Sequence, residues 1–181
     1  PEIHLNLDNT RAYVVSFLGN SVFEYDVING QLDYNKTLDD GYFGIADNTF
    51  GFPTSMAVIN NPAELNHNSF YVFSSTTDKI TFIQRNDSTG DYSIGPTFSH
   101  PILEGICALL LNSTQDYLHV SCRNSDMIKT LKVNSDYSLT AVDIHQQLQS
   151  SMLGLDQPGL MKYSYDNEFL YSPGFLSNGF S

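Results

Sequence analysis

Tryptophan is missing from the 181 residues, cysteine occurs twice, and only eight basic side chains oppose twenty carboxylates, for a formal charge of −12. A potential of that sign repels phosphate backbones and anionic lipid, so neither nucleic acid nor a membrane surface is expected as a partner, and solubility is the plain reading of the acidity. No apolar run reaches the roughly 18 residues a membrane-spanning helix needs. No nucleophile elbow, phosphate-binding loop, dinucleotide fingerprint or metalloprotease helix is present, and no His or second Cys pair stands at ligand spacing, so neither a metal nor another cofactor is expected. Charged residues make up 15% of the chain, against about 25% in an average soluble one. Asn, Ser and Thr take their place, a balance that leans towards an extracellular protein. Sequons at Asn35, Asn86 and Asn112 permit glycans, though so Asn-rich a chain produces about three by chance.

What is abundant is aromatic and repeated. Twelve Phe and eleven Tyr sit in a chain that is 41% apolar, enough for a folded core. The stretch Ala12 to Val27, AYVVSFLGNSVFEYDV, returns three times. Shifts of 58, 106 and 158 residues bring Tyr71-Val72-Phe73-Ser74, His119-Val120-Ser121-Cys122 and Tyr171-Ser172-Pro173-Gly174 over Tyr13-Val14-Val15-Ser16. Each copy is an apolar strand, a polar turn ending in Asn20, Asp78, Asp126 or Asn178, and a second strand of alternating character. Asn and Asp suit such turns because their side chains bond their own backbone.

The remaining strands follow from the same alternation. In the first unit they are Glu2 to Leu7, Ala12 to Phe17, Ser21 to Val27 and Leu32 to Leu38, with Asn29-Gly30 as a hairpin turn. The second unit has Pro53 to Ile59, Phe70 to Ser74, Ile80 to Gln84 and Tyr92 to Phe98, with an expanded turn at Asn60 to Asn68. The third has Gly105 to Leu111, Tyr117 to Cys122, Met127 to Val133 and Leu139 to Ile144. A Gly- and aromatic-rich connector, Asp39 to Phe52, either packs over the end of a neighbouring unit or serves a site. Helical spacing of Leu148, Met152 and Leu155 before Pro158 predicts one short helix between His145 and Pro158. Cys107 and Cys122 on consecutive strands are two half-buried thiols or, in a suitable register, a cross-strand disulfide.

A four-stranded sheet of some forty residues cannot cover both its faces, so such units must pack on copies of themselves. The expected fold is therefore all-β, a β-propeller of four-stranded antiparallel blades, with blades at about 1–41, 53–99, 105–145 and an incomplete one at 159–181. About three and a half blades make a partial ring, and the rest is expected from further chain or from a partner.

The pattern N-x-x-x-x-Y, then Y-V-S-x-x-x-N-S-[IV] and an alternating strand, is carried best by Ile3 to Val27 and Ala108 to Val133. It resembles the lactonase-type seven-bladed propellers, which include the 6-phosphogluconolactonases and the fungal carboxymuconate cyclases; YVTN-type surface propellers share the blade. The resemblance implies a metal-independent lactonase or cyclase acting on a small carboxylated lactone or its open-chain form. The alternative is a non-catalytic secreted or surface propeller that binds a protein or glycan ligand.

In propellers the loops after second strands and the connectors between blades open on one end of the channel, and this selects the candidates. Arg123 replaces Phe17, Ser75 and Phe175 at the repeat position, and lactonase-type propellers carry Arg in the V-S-x-R context that Val120-Ser121-Cys122-Arg123 matches. Its planar fork suits a carboxylate or an oxyanion, and a salt bridge to Asp126 or Glu104 is the competing reading. His100 and Glu104, in the connector entering the same blade, are the candidates for moving a proton. His119, at the position of Tyr13, Tyr71 and Tyr171, reads as a packing residue.

Overall fold

The computed structural model describes residues 2–60, 68–101, 103, 105–146, 155–175 and 179–180. Three complete antiparallel sheets follow one another, each in simple meander order. The first is β1 (Glu2–Leu5), β2 (Arg11–Ser16), β3 (Ser21–Ile28) and β4 (Gln31–Leu38). The second is β5 (Pro53–Val58), β6 (Phe70–Ser74), β7 (Lys79–Arg85) and β8 (Tyr92–Ser99), and the third is β9 (Ile106–Leu111), β10 (Tyr117–Cys122), β11 (Met127–Val133) and β12 (Leu139–Gln146). Short two-stranded pairs follow: β13 (Lys162–Tyr163) with β14 (Leu170–Tyr171), and β15 (Pro173–Gly174) with β16 (Gly179–Phe180). The fold is all-β, a partial β-propeller.

Alternation along a strand sends successive side chains to opposite faces, and both faces of the second blade meet neighbours. All five residues of β6, Phe-Tyr-Val-Phe-Ser, are buried for that reason. Phe70 and Val72 join Met56, Val58 and Ile83 against Tyr13, Val15, Val22 and Leu38 of the first blade. Tyr71 and Phe73, with Ala57, Ile80 and Phe82, pack on Leu109, Leu118, Val120 and Leu131 of the third. On its far side the third blade sets Ala108 and Ile128 against Leu155 and Met161. Each large side chain so buried contributes about 1.5–3 kcal/mol, offset by its ordering entropy.

The first strands of successive blades approach one another nearest the axis and are tied by side chains. Glu2 Oε2 accepts from Ser55 Oγ at 2.8 Å and from the Met56 amide at 3.1 Å, while Ser55 Oγ accepts from the Leu109 amide at 2.9 Å. Further out, buried Glu24 pairs with Arg11 at 2.6 Å and faces Arg85 at 3.7 Å, bridging the first two blades. Tyr92 donates to Tyr13 and Tyr13 to the Asn68 carbonyl in the same junction, and burial pushes the Tyr13 phenol up to about 12.

Several expectations are refined. The connector after β4 holds a helical turn, α1 (Asp40–Phe43), capped by the Asp39 carboxylate on the Tyr42 amide and closed by Gly44 at a positive φ of 65°. Its aromatics do pack over a blade junction: Phe43 stacks on Phe50, which is fully buried. β1 ends at Leu5, where Asn6 turns the chain by accepting the Arg11 amide on its side chain. Cys122 is buried and forms no disulfide, which removes that alternative. Leu148 and Met152 of the predicted helix lie outside the described residues; Leu155 is in irregular chain and Pro158 bridges to Gly174.

Among the described residues, one face of the first blade has no neighbour. Register matches Ile3 and Val14 of the first blade to Met56 and Val72 of the second and to Leu109 and Val120 of the third. Met56 is fully buried and Leu109 nearly so, whereas Ile3 is 64% and Leu5 48% exposed. The position that Met56 and Leu109 bury in the later blades stands open in the first. Met56→Ala is therefore expected to cost about 2–5 kcal/mol in urea unfolding of this chain. Ile3→Ala, at the equivalent position, should cost less than about 0.5 kcal/mol, and an equal loss for both would mean that the first blade's outer face is covered.

Candidate functional site

The loops after β2, β6 and β10 and the connectors entering the second, third and fourth units meet at one end of the structure through a repeated set of bonds. The residue after each second strand donates its amide to a connector carbonyl: Ser75 to Phe52 at 3.4 Å, Arg123 to Gly105 at 2.9 Å, Phe175 to Gln157 at 3.1 Å. Phe52, Gly105 and Gln157 all have positive φ, between 46° and 66°. The turn residues Asn20, Asp78 and Asp126 also have positive φ, from 49° to 51°, a region that Asn and Asp tolerate better than most side chains.

Their side chains reach further than the local turn. Asn20 Oδ1 accepts the Phe52 amide at 2.9 Å, and Asp126 Oδ1 accepts the Gln157 amide at 2.8 Å. Each clamps the connector of the next blade, so the recurrence of Asn and Asp is a device between blades rather than within one turn. Asn178 lies outside the described residues.

Arg123 is exposed at this rim. Its Nε donates to Gln157 Oε1 at 3.0 Å, and its guanidinium lies 4.8 Å over the Phe175 ring. In the first blade the same junction is apolar, with Phe17 against Phe52 at 5.1 Å. Asp126, one of the two expected salt-bridge partners, is spent on the connector amide, the other, Glu104, lies outside the described residues, and among the described residues no carboxylate pairs with Arg123. The result is an exposed guanidinium held by its inner nitrogen and by one face. Such a fork binds a carboxylate or stabilises an oxyanion without first paying to be ordered.

His100 is half-buried at the junction of the second and third blades, stacked on Phe98, with Nδ1 3.3 Å from Lys129 Nζ. Arg123 and His100 thus serve two successive junctions with different partners. Glu104 lies outside the described residues. His119 is a packing residue between the third blade and β13, bonding Thr130 through Nδ1 and Tyr163 through Nε2. Lys129 is the residue that sequence reasoning missed. It is 1% exposed on a strand whose alternation, Met-Ile-Lys-Thr-Leu-Lys-Val, suggests a solvent-facing lysine. Among the described residues, no group of three or more His, Cys, Asp or Glu could hold a metal ion.

Solved structures share this architecture. A Bacteroides fragilis protein assigned provisionally as a 6-phosphogluconolactonase superposes with a TM-score of 0.66 at 17% identity, over 89% of this chain and 40% of its own. The periplasmic gluconolactonase of Pseudomonas aeruginosa gives 0.61 at 13% identity, over 80% of this chain and 39% of its own. The β-propeller domain of Cps50 (Swd1) from Myceliophteria thermophila gives 0.64 at 10% identity, over 98% of this chain and 51% of its own. The chain therefore spans about two fifths to one half of the propellers it matches. No protein-family model and no curated sequence matches it. At these identities the likeness establishes the propeller fold, in the form that lactonase-like proteins share with others.

The clamp at Asp126 is directly measurable. Asp126→Gly keeps the positive φ accessible but removes the acceptor, and is expected to cost about 1 kcal/mol and to speed hydrogen exchange of the Gln157 amide. Asp126→Asn should leave both nearly unchanged. Unaltered exchange at Gln157 in the glycine variant would rule the clamp out.

Proposed function

We propose that the chain is part of a lactonase- or cyclase-type β-propeller that opens or forms a lactone on a small carboxylated substrate. The observation that carries this reading is Arg123: exposed, fixed by Gln157 and Phe175, and without a carboxylate partner among the described residues. The guanidinium would bind the substrate carboxylate or the oxyanion that develops as the lactone carbonyl is attacked, and a proton would pass through His100 or Glu104. The resemblance of Val120 to Arg123 to the lactonase pattern and the gluconolactonase among the structural neighbours support the same class. The open first blade supports completion of the ring by a further blade of the polypeptide, since Ile3 repeats a position that Met56 and Leu109 bury in the second and third blades.

The test is hydrolysis of γ- and δ-lactones, with and without a carboxylate or phosphate group. Arg123→Ala should lower kcat/KM for the anionic substrates roughly a hundredfold, the scale of one oxyanion or anion contact. Inactivity of the intact protein towards all of them, or activity unchanged by the substitution, contradicts the proposal.

A further inference from the structure

A residue other than glycine at positive φ is uncommon, because its Cβ crowds its own backbone. At the repeated place whose carbonyl meets the residue after the second strand, the three connectors carry Phe52 at 46°, Gly105 at 66° and Gln157 at 53°. Gly105 shows that the backbone needs no side chain here, and a Cβ added to it would stand 2.7 Å from the Asn124 side chain. Phe52 and Gln157 keep side chains against the preference of that conformation.

Both direct them to the same neighbour, the residue that follows the second strand of the preceding blade. Phe52 packs on Phe17 with ring centroids 5.1 Å apart, and Gln157 Oε1 accepts from Arg123 Nε at 3.0 Å. At the junction where the connector has Gly105, the corresponding residue is Ser75. The two positions are thus matched at each junction: ring with ring, a short side chain with none, a cation with an acceptor. The Gln157 backbone is fixed on both sides, its amide donating to Asp126 Oδ1 at 2.8 Å and its carbonyl accepting the Phe175 amide at 3.1 Å. Its side chain therefore leaves from a rigid base.

The chemistry of the acceptor matters as much as its place. An amide oxygen takes one donor of the guanidinium without bringing a charge, whereas a carboxylate there would be an ion-pair partner competing with any bound anion. We propose that Gln157 is a positioning residue for Arg123: held at a φ that glycine would adopt without strain, it supplies a neutral acceptor that orders the guanidinium and leaves its charge for a substrate carboxylate. Ordering the fork beforehand lowers the entropy lost when that carboxylate binds. This catalytic consequence rests on the lactonase-type reading above, whereas the pairing of Gln157 with Arg123 does not.

The experiment compares the wild-type chain with Gln157→Gly and Gln157→Glu. The Nε–Hε resonance of Arg123, one of three arginines in the chain, is assigned by its loss in Arg123→Lys, and its ¹⁵N relaxation reports the order of the side chain. In the wild type it should be as ordered as the backbone around it. In Gln157→Gly it should become mobile while the unfolding temperature stays level with the wild type or rises, because the strained φ is relieved. A merely structural glutamine would instead lower that temperature. Gln157→Glu should keep the resonance ordered. On a carboxylated lactone, kcat/KM should fall about tenfold in the glycine variant and at least as far in the glutamate variant, whose new carboxylate occupies the guanidinium. A resonance as mobile in the wild type as in the glycine variant, a glycine variant that unfolds at a lower temperature, or full activity in the glutamate variant overturns the proposal. The expected relaxation in a protein that hydrolyses no lactone upholds the Gln157–Arg123 pair and overturns the lactonase reading instead.

Discussion

Everything in this structure depends on one blade's apolar face lying against the next. A sheet of four short strands has no interior of its own, and the second blade shows what supplies one: its second strand buries alternate residues into two different cores, Phe70 and Val72 on one side, Tyr71 and Phe73 on the other. Stability in such an array is close to a sum of nearest-neighbour terms. Polar ties follow the same geometry, with Glu2, Ser55 and the Leu109 amide linked near the axis and Glu24 with Arg11 and Arg85 further out.

The rim inherits its order from those junctions. Because Asn20 and Asp126 bond the connectors of the blades that follow them, the loop after one second strand is held by the blade beyond it. Arg123 is the place where a junction made by two aromatic rings in the first blade presents a charge, and Gln157 and Phe175 hold that charge. His100 belongs to the preceding junction, fixed by Phe98 and Lys129. A site assembled from several blades in this way can exist only when the junctions between them are formed.

Much of the architecture was legible in the residues. The strand pairs after Ala12, Phe70 and Tyr117 were readable because period-two alternation and an Asn or Asp turn recur together, and the exchange of Phe17 for Arg123 stood out by contrast. Three features were not legible, each for a physical reason. The targets of Asn20 and Asp126 are long-range, and a local turn already accounts for those residue types. Glu24 and Lys129 look solvent-facing on alternating strands, but each stands on a face that the neighbouring blade covers and is buried. The helical turn at Asp40–Phe43 is too short to leave a periodic signal.

The central claim, that contact between blades holds the array and the rim together, is tested most directly at the stack of Phe82 on Tyr137, whose ring planes lie 3° apart with centroids at 4.6 Å across the junction of the second and third blades. A double-mutant cycle of Phe82→Leu and Tyr137→Leu, read by urea unfolding, is expected to give a coupling of about 0.5–1.5 kcal/mol in a single cooperative transition. Additive effects, or two separate transitions, would show that the blades stand independently and would contradict this account.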